Sequence, residues 1–151
     1  MIHINNKSES FFREIRKVII YKASSIKYIN NLNGDVPELM NALISFDVVP
    51  ESFSHKIATK TQNNNYLYEL DTNFPLLDMS PDTVDFCFDQ FNKDDFAVVF
   101  MTNDDCLIFG NDRENIKVEF IDNKKIDNSG NDEYTIAISG KSIIQPKYKS
   151  L

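Results

Sequence analysis

Alternation of apolar and polar residues dominates this chain, and helical spacing of apolar residues is sustained only once. Residues 15–23, IRKVIIYKA, and the following SIKYI are rich in Val, Ile and Tyr and predict a strand over 16–23. The preceding residues 8–15 fit a short helix or extended chain equally. Between 30 and 53 the pattern breaks: NNLNGDVPELMNALISFDVVPESF contains Asn-Gly-Asp, two prolines and a brief helix-like PELMNALISF. So long an excursion reads either as a contact arm or as a helical crossover.

Next, FSHKIATKTQNNNYLYELDTNFPLL predicts two strands about the turn Gln62-Asn63-Asn64-Asn65, because asparagine tolerates the left-handed backbone of a tight turn. Tyr66, Tyr68, Leu70 and Thr72 then share a face, and Pro75, which has no N–H to give a ladder, should end the strand. A helix follows. Ser80 supplies an N-cap hydroxyl, Pro81 the first helical position and Asp82 an acid in the first turn, while Val84, Cys87, Phe88 and Phe91 form one apolar face. Asp82, Asp85 and Asp89 lie off that face. FAVVFM and CLIFG, around Thr102-Asn103-Asp104-Asp105, form the plainest hairpin; Phe96 to Met101 is apolar throughout, as expected of a strand covered on both sides. Ile116, Val118 and Phe120 alternate with charged residues, the loop DNSGND follows, and in EYTIAISG the side chains of Tyr134, Ile136 and Ile138 point one way. The order predicts one mainly β domain over 1–151: an antiparallel β-sandwich or split barrel with one flanking α-helix, a long loop at about 30–53 and an extended tail at about 141–151.

At 151 residues the chain can bury roughly two-thirds of the surface of its unfolded form without disulfides. Cys87 and Cys106 sit inside apolar patterns and read as free, buried thiols. No signal-peptide core or membrane-length apolar run is present, so synthesis and folding in a cytoplasm are expected. Charge changes the picture more. Residues 1–60 hold 8 Lys/Arg and 6 Asp/Glu, a net +2; residues 61–151 hold 8 and 17, a net −9. An acidic body with basic ends repels nucleic acid and suits pairing of its ends with an acidic neighbour, a second copy included; acidity serving solubility alone is the plain alternative.

Catalytic chemistry is sparse. His3 lies near the terminus and His55 at the start of a strand, where it reads as a surface residue; four glycines provide no phosphate loop, and Ser139-Gly140-Lys141 lacks the upstream glycine of one. Lys141 and Ser142 are adjacent on a strand and point to opposite faces. Asp94-Asp95 and Asp104-Asp105 fall at expected turns, and Asp82, Asp85 and Asp89 make a solvated or partner-facing side more readily than a metal cluster. The inventory points away from an enzyme: no catalytic, cofactor-binding or metal residue is assigned, and no basic–aromatic cluster reads DNA.

The order of LYELDTNFPLL, capped helix, FAVVFMTNDDCLIFG, charged strand and closing YTIAISGKSIIQP resembles the tail-tube and tail-barrel proteins of tailed phages that infect Bacteroidetes, the crAss-like group included. The resemblance covers about residues 65–146 and is closest at Tyr134 to Lys141 and at the hairpin. It implies a virion structural protein, assembled in the host cytoplasm, whose copies form a ring in the tail barrel or tube. Adjacent tail or connector proteins would be its partners, and double-stranded DNA would pass through unbound, with no membrane involved. On that reading residues 30–53 and 140–151 make inter-subunit contacts, although 141–151 could equally be a frayed, lysine-bearing end. Some of Asp82, Asp85, Asp104, Asp105 and Asp112 would face the channel or a partner. The alternative from another class is a small acidic binding protein that inhibits a nucleic-acid enzyme by presenting carboxylates in place of phosphates. A bacterial cytoplasmic domain of unassigned role is a third.

Overall fold

The computed structural model describes residues 1–4, 14–78, 80–123 and 133–151; part of 8–15 and the loop at 127–132 lie outside them. In chain order the strands are β1 (Lys17–Lys22), β2 (Tyr28–Ile29), β3 (Leu32–Asn33), β4 (Ile44–Asp47), β5 (Ser54–Gln62) and β6 (Asn65–Leu76). Then come the helix α1 (Pro81–Gln90) and strands β7 (Lys93–Met101), β8 (Asp105–Phe109), β9 (Ile116–Asp122), β10 (Tyr134–Ser142) and β11 (Lys149–Ser150). The domain is mainly β, a strongly curled antiparallel sheet forming a half-barrel with one helix, as the alternation predicts.

The curl is organised by β7. One of its edges carries β1, with Val98 opposite Ile20 and Phe96 opposite Lys22. Its other edge carries β8 over Val98 to Met101 and then β9 over Lys93 to Phe96. β8 therefore continues out to β11, whereas β9 leads away through β10 and β6 to β5, and β1 leads to β4. A register shift between Asp94 and Phe96 bends β7 where β9 takes over. Asp94 and Asp95, expected in a turn, lie inside β7 at this irregularity; both are exposed there, so the strand accommodates them without burying charge.

Two cores follow from one strand covered on both faces. Val98 and Phe100 of β7 point inward with Val18, Ile20, Leu70, Phe74, Phe120, Ile136 and Ile138. Ala97 and Val99 point outward into a smaller cluster with Ile19, Tyr21, Ile26, Cys106 and Ile108. α1 closes the first core: Cys87 and Phe91 are buried, the Phe91 and Phe96 ring centroids lie 5.6 Å apart, and half-exposed Phe88 stands edge-on to Phe120 at 4.7 Å. Phe86, outside the predicted stripe, also packs, 6.3 Å from Phe91. The cap differs from expectation. The Ser80 hydroxyl bonds the Thr83 hydroxyl rather than a helix N–H, and the Asp78 carboxylate accepts both Ser80 N–H and Thr83 O–H.

Two further expectations are corrected. Residues 30–53 are neither a bare loop nor a helical crossover: they hold β3, 3-10 turns at Leu39–Asn41 and Pro50–Ser52, and β4. The helix-like PELMNALISF gives way because Ile44 and Phe46 alternate with polar partners and complete a ladder on β1, which a helix would leave unpaired. Pro75 does not end β6, which runs to Leu76. β5 begins opposite Asn73, so Pro75 has β10 on one side and no strand on the other, where its missing N–H costs little.

Glycine and asparagine explain the tightest points. Gly140 sits where β9 leaves β10 for β7, and a Cβ there would lie 2.5 Å from Ile116 Cγ2. Asn63 and Asn64 take φ of 52° and 66° in the predicted turn, a two-residue pattern with both central residues left-handed.

Candidate functional site

The residues expected to make external contacts are tied largely to their own domain. The 30s segment docks over the outer face of β1 and β8: Asn33 Nδ2 donates to the Ile108 carbonyl at 3.3 Å, Tyr21 O–H to the Pro37 carbonyl at 3.1 Å, and Leu43 N–H to Ile20 at 2.8 Å. Burial raises the Tyr21 pKa above the usual tyrosine range. The segment still exposes Ile29, Leu32, Val36, Leu39, Met40 and Val49. Between it and β1 lies an apolar groove of about 470 Å³ whose lining includes Ile19, Val36, Leu39 and Met101, with Arg16 and Asn103 alongside. Of its two basic lining residues, Arg16 is matched by Glu14 at 2.8 Å and Lys17 by Asp47 at 4.0 Å.

The end of the chain is also latched. Glu114 Oε1 accepts from Ser142 Oγ at 2.8 Å and Asn111 Nδ2 at 3.3 Å, and Oε2 accepts from Ile143 N–H at 2.7 Å. Asn111, fully buried, also donates to Asn33 Oδ1 at 2.8 Å, so one carboxylate joins the 110–115 loop, the 30s segment and the chain beyond β10. β11 then pairs with β8, and Leu151 N–H reaches the Asp104 carbonyl at 3.1 Å. Lys141 finds Glu69 at 3.6 Å. Part of the basic charge expected to seek an acidic neighbour is thus met within the chain. The sequence signal missed was Glu114 itself, one of two acids in NDREN.

The candidate acidic residues do not form one site. Asp82, Asp85 and Asp89 share the exposed side of α1, near the start of β7. Asp104 lies in the turn after β7 and Asp105 opens β8, where Thr102 O–H bonds its carboxylate. Asp112 sits elsewhere, holding Tyr28 N–H at 2.8 Å. The hydrogen bonds at Asp78, those from Ser80 first, lower its pKa below the usual carboxylate range.

His55, expected on the surface, is half-buried. Its Nδ1 is 2.8 Å from Thr72 Oγ1, and its ring stands edge-on to Phe100 at 4.6 Å and stacks with Phe53 at 5.7 Å. Desolvation lowers its pKa. It faces the core because it lies opposite Thr72 on the inner face of β5, which strand parity alone does not reveal. Both cysteines are free and buried, and burial pushes the Cys87 thiol up to about 11. Among the described residues no three His, Cys, Asp or Glu side chains gather into a metal site, and no helix is long and apolar enough to cross a membrane.

What the structure leaves open is its edges. Among the described residues, β5 pairs only with β6 and β4 only with β1. Beyond Tyr68, where β10 ends, the β5–β6 hairpin runs on without β10 beside it, and Tyr66 there is two-thirds exposed. Compared with known protein families, curated proteins and solved structures, the chain matches none.

Proposed function

We propose that this chain is a structural subunit of a tailed-phage virion, forming a homo-oligomeric ring in the tail barrel or tube around the path of the DNA. The observation that carries the proposal is the open half-barrel, with a nine-residue edge strand that among the described residues is unpaired on one side and a hairpin that runs on past the end of β10. Unprotected edges of this length are templates for association. The surplus of acid after residue 60 suits a conduit that must not hold DNA, since fixed negative charge repels phosphate. Light scattering up to the highest attainable concentration, followed by negative-stain imaging, tests it: rings or stacks are expected, and a strict monomer at every concentration counts against it.

One feature favours the second reading, an acidic inhibitor of a nucleic-acid enzyme. Asp82, Asp85 and Asp89 form a row along α1 spaced about 4.5–6 Å along the axis, from the helical rise per residue. That reading expects a monomer or dimer whose capture of a basic partner weakens steeply with salt.

A further inference from the structure

We propose that copies associate head to tail by pairing the free edge of β4 in one copy with the free edge of β5 in the next. The proposal rests on the self-association in the function proposed above and names its interface.

Both edges are unused. Among the described residues, no backbone hydrogen bond outside the ladders involves 44–47 or 54–62. Each strand has one apolar and one polar side. On β4, Ile44 and Phe46 face the main core while Ser45 and Asp47 face outward. On β5, His55 and Ile57 face inward, opposite Thr72 and Leu70, while Lys56, Ala58 and Lys60 face outward, opposite Asp71, Glu69 and Leu67. Centring the four residues of β4 on the nine of β5 sets Ser45 against Ala58. Opposed residues share a face, so the partly buried inner side chains then continue one apolar surface across the junction.

Charge selects the partner edge. In that register Asp47, whose side chain is 88% exposed and only 4.0 Å from Lys17 of its own copy, meets Lys56 if the strands are antiparallel or Lys60, which also holds Glu69 at 2.6 Å, if they are parallel. A ring of like-oriented copies takes the parallel ladder. Pairing β5 with β5 of a second copy about Ala58 instead places Lys56 against Lys60, and like charges directly opposed destabilise a ladder. The edges therefore favour the unlike pair, which propagates rather than closing on a twofold axis.

The experiment mixes copies carrying Ser45→Cys with differently tagged copies carrying Ala58→Cys under mild oxidation; the native thiols are buried and stay out of reach. The mixed cross-linked dimer is expected, without either homotypic one. A homotypic Ala58→Cys product, or no mixed product, overturns the interface. If particles form without the mixed product, the interface fails and the ring survives; if nothing associates, both fail. Asp47→Lys should cut the mixed yield about tenfold, and Lys56→Asp or Lys60→Asp should restore it. Restoration by neither overturns the proposal.

Discussion

Gly140→Ala is the most exacting test of the packing that curls the sheet. The added Cβ would meet Ile116 Cγ2 at 2.5 Å, Ile116 Cβ at 3.0 Å and Ile116 Cα at 3.2 Å. Ile116 is fully buried and opens β9 opposite Phe96, so neither the methyl nor the backbone has free space to retreat into. Overpacking of this kind costs about 1–3 kcal/mol. Alanine returns roughly 0.5–1 kcal/mol through its smaller unfolded-state entropy, so a net loss of about 1–2 kcal/mol is expected. At this chain length each kcal/mol lowers Tm by about 2–4 °C. With no Trp in the chain, urea unfolding followed by far-UV circular dichroism is the suitable assay. The same substitution should cost as much in an Ile116→Val background, because valine keeps a methyl at the clashing position. In Ile116→Ala the 2.5 Å contact disappears, and the penalty should fall by at least half. A Gly140→Ala protein as stable as the parent, or a penalty unchanged by Ile116→Ala, would refute the account.

Three other perturbations follow from the same geometry. Glu114→Ala removes the acceptor of Ser142 Oγ and Ile143 N–H and should cost about 2–4 kcal/mol, with hydrogen exchange rising first in 143–151; protection there unchanged would sink the latch. Burial depresses the His55 pKa below 6.5, so its neutral form is the one that folds. Its contribution is complete above 6.5 and declines as pH falls from there towards the folded-state pKa, while His55→Gln should lose this slope in urea midpoints measured from pH 8 to 5. Asn64→Gly should raise stability by a few tenths of a kcal/mol, because φ of 66° suits glycine; a lower urea midpoint would contradict the turn geometry.

Much of the fold was legible because its elements are patterned locally. FAVVFM announces a strand covered on both sides, and the structure buries Phe96 to Phe100 completely. The Asn63-Asn64 turn and α1 are likewise written in nearest neighbours. What local pattern could not give was sidedness. β4 hides in a helix-like stretch because only its ladder with β1 makes it a strand, and Pro75 survives in β6 because β5 stops two residues short of it. His55 looks like surface until Thr72 is placed opposite it. The acidic candidates scatter for the same reason: sequence supplies their number, and only the element order tells that the α1 acids precede β7 while Asp104 follows it.

That separation sharpens the choice between the two functional readings. A channel lining drawn from one subunit needs its acids on one face, and of the candidates only the α1 row of Asp82, Asp85 and Asp89 meets that condition. Neutralising all three as Asp→Asn takes the net charge from −7 to −4. Stability should hold within about 1 kcal/mol, because losing Asp82 near the positive end of the helix dipole is offset by losing Asp89 near the negative end. None of the three lies in β4 or β5, so the size of any assembled particle should not change. An inhibitor that mimics phosphates responds differently: the parent chain would capture a basic protein from lysate at low salt, and the triple variant would not. Unchanged particles with no such capture support the ring. Capture that is lost with the three carboxylates, and released by salt in the parent, would replace it with the inhibitor.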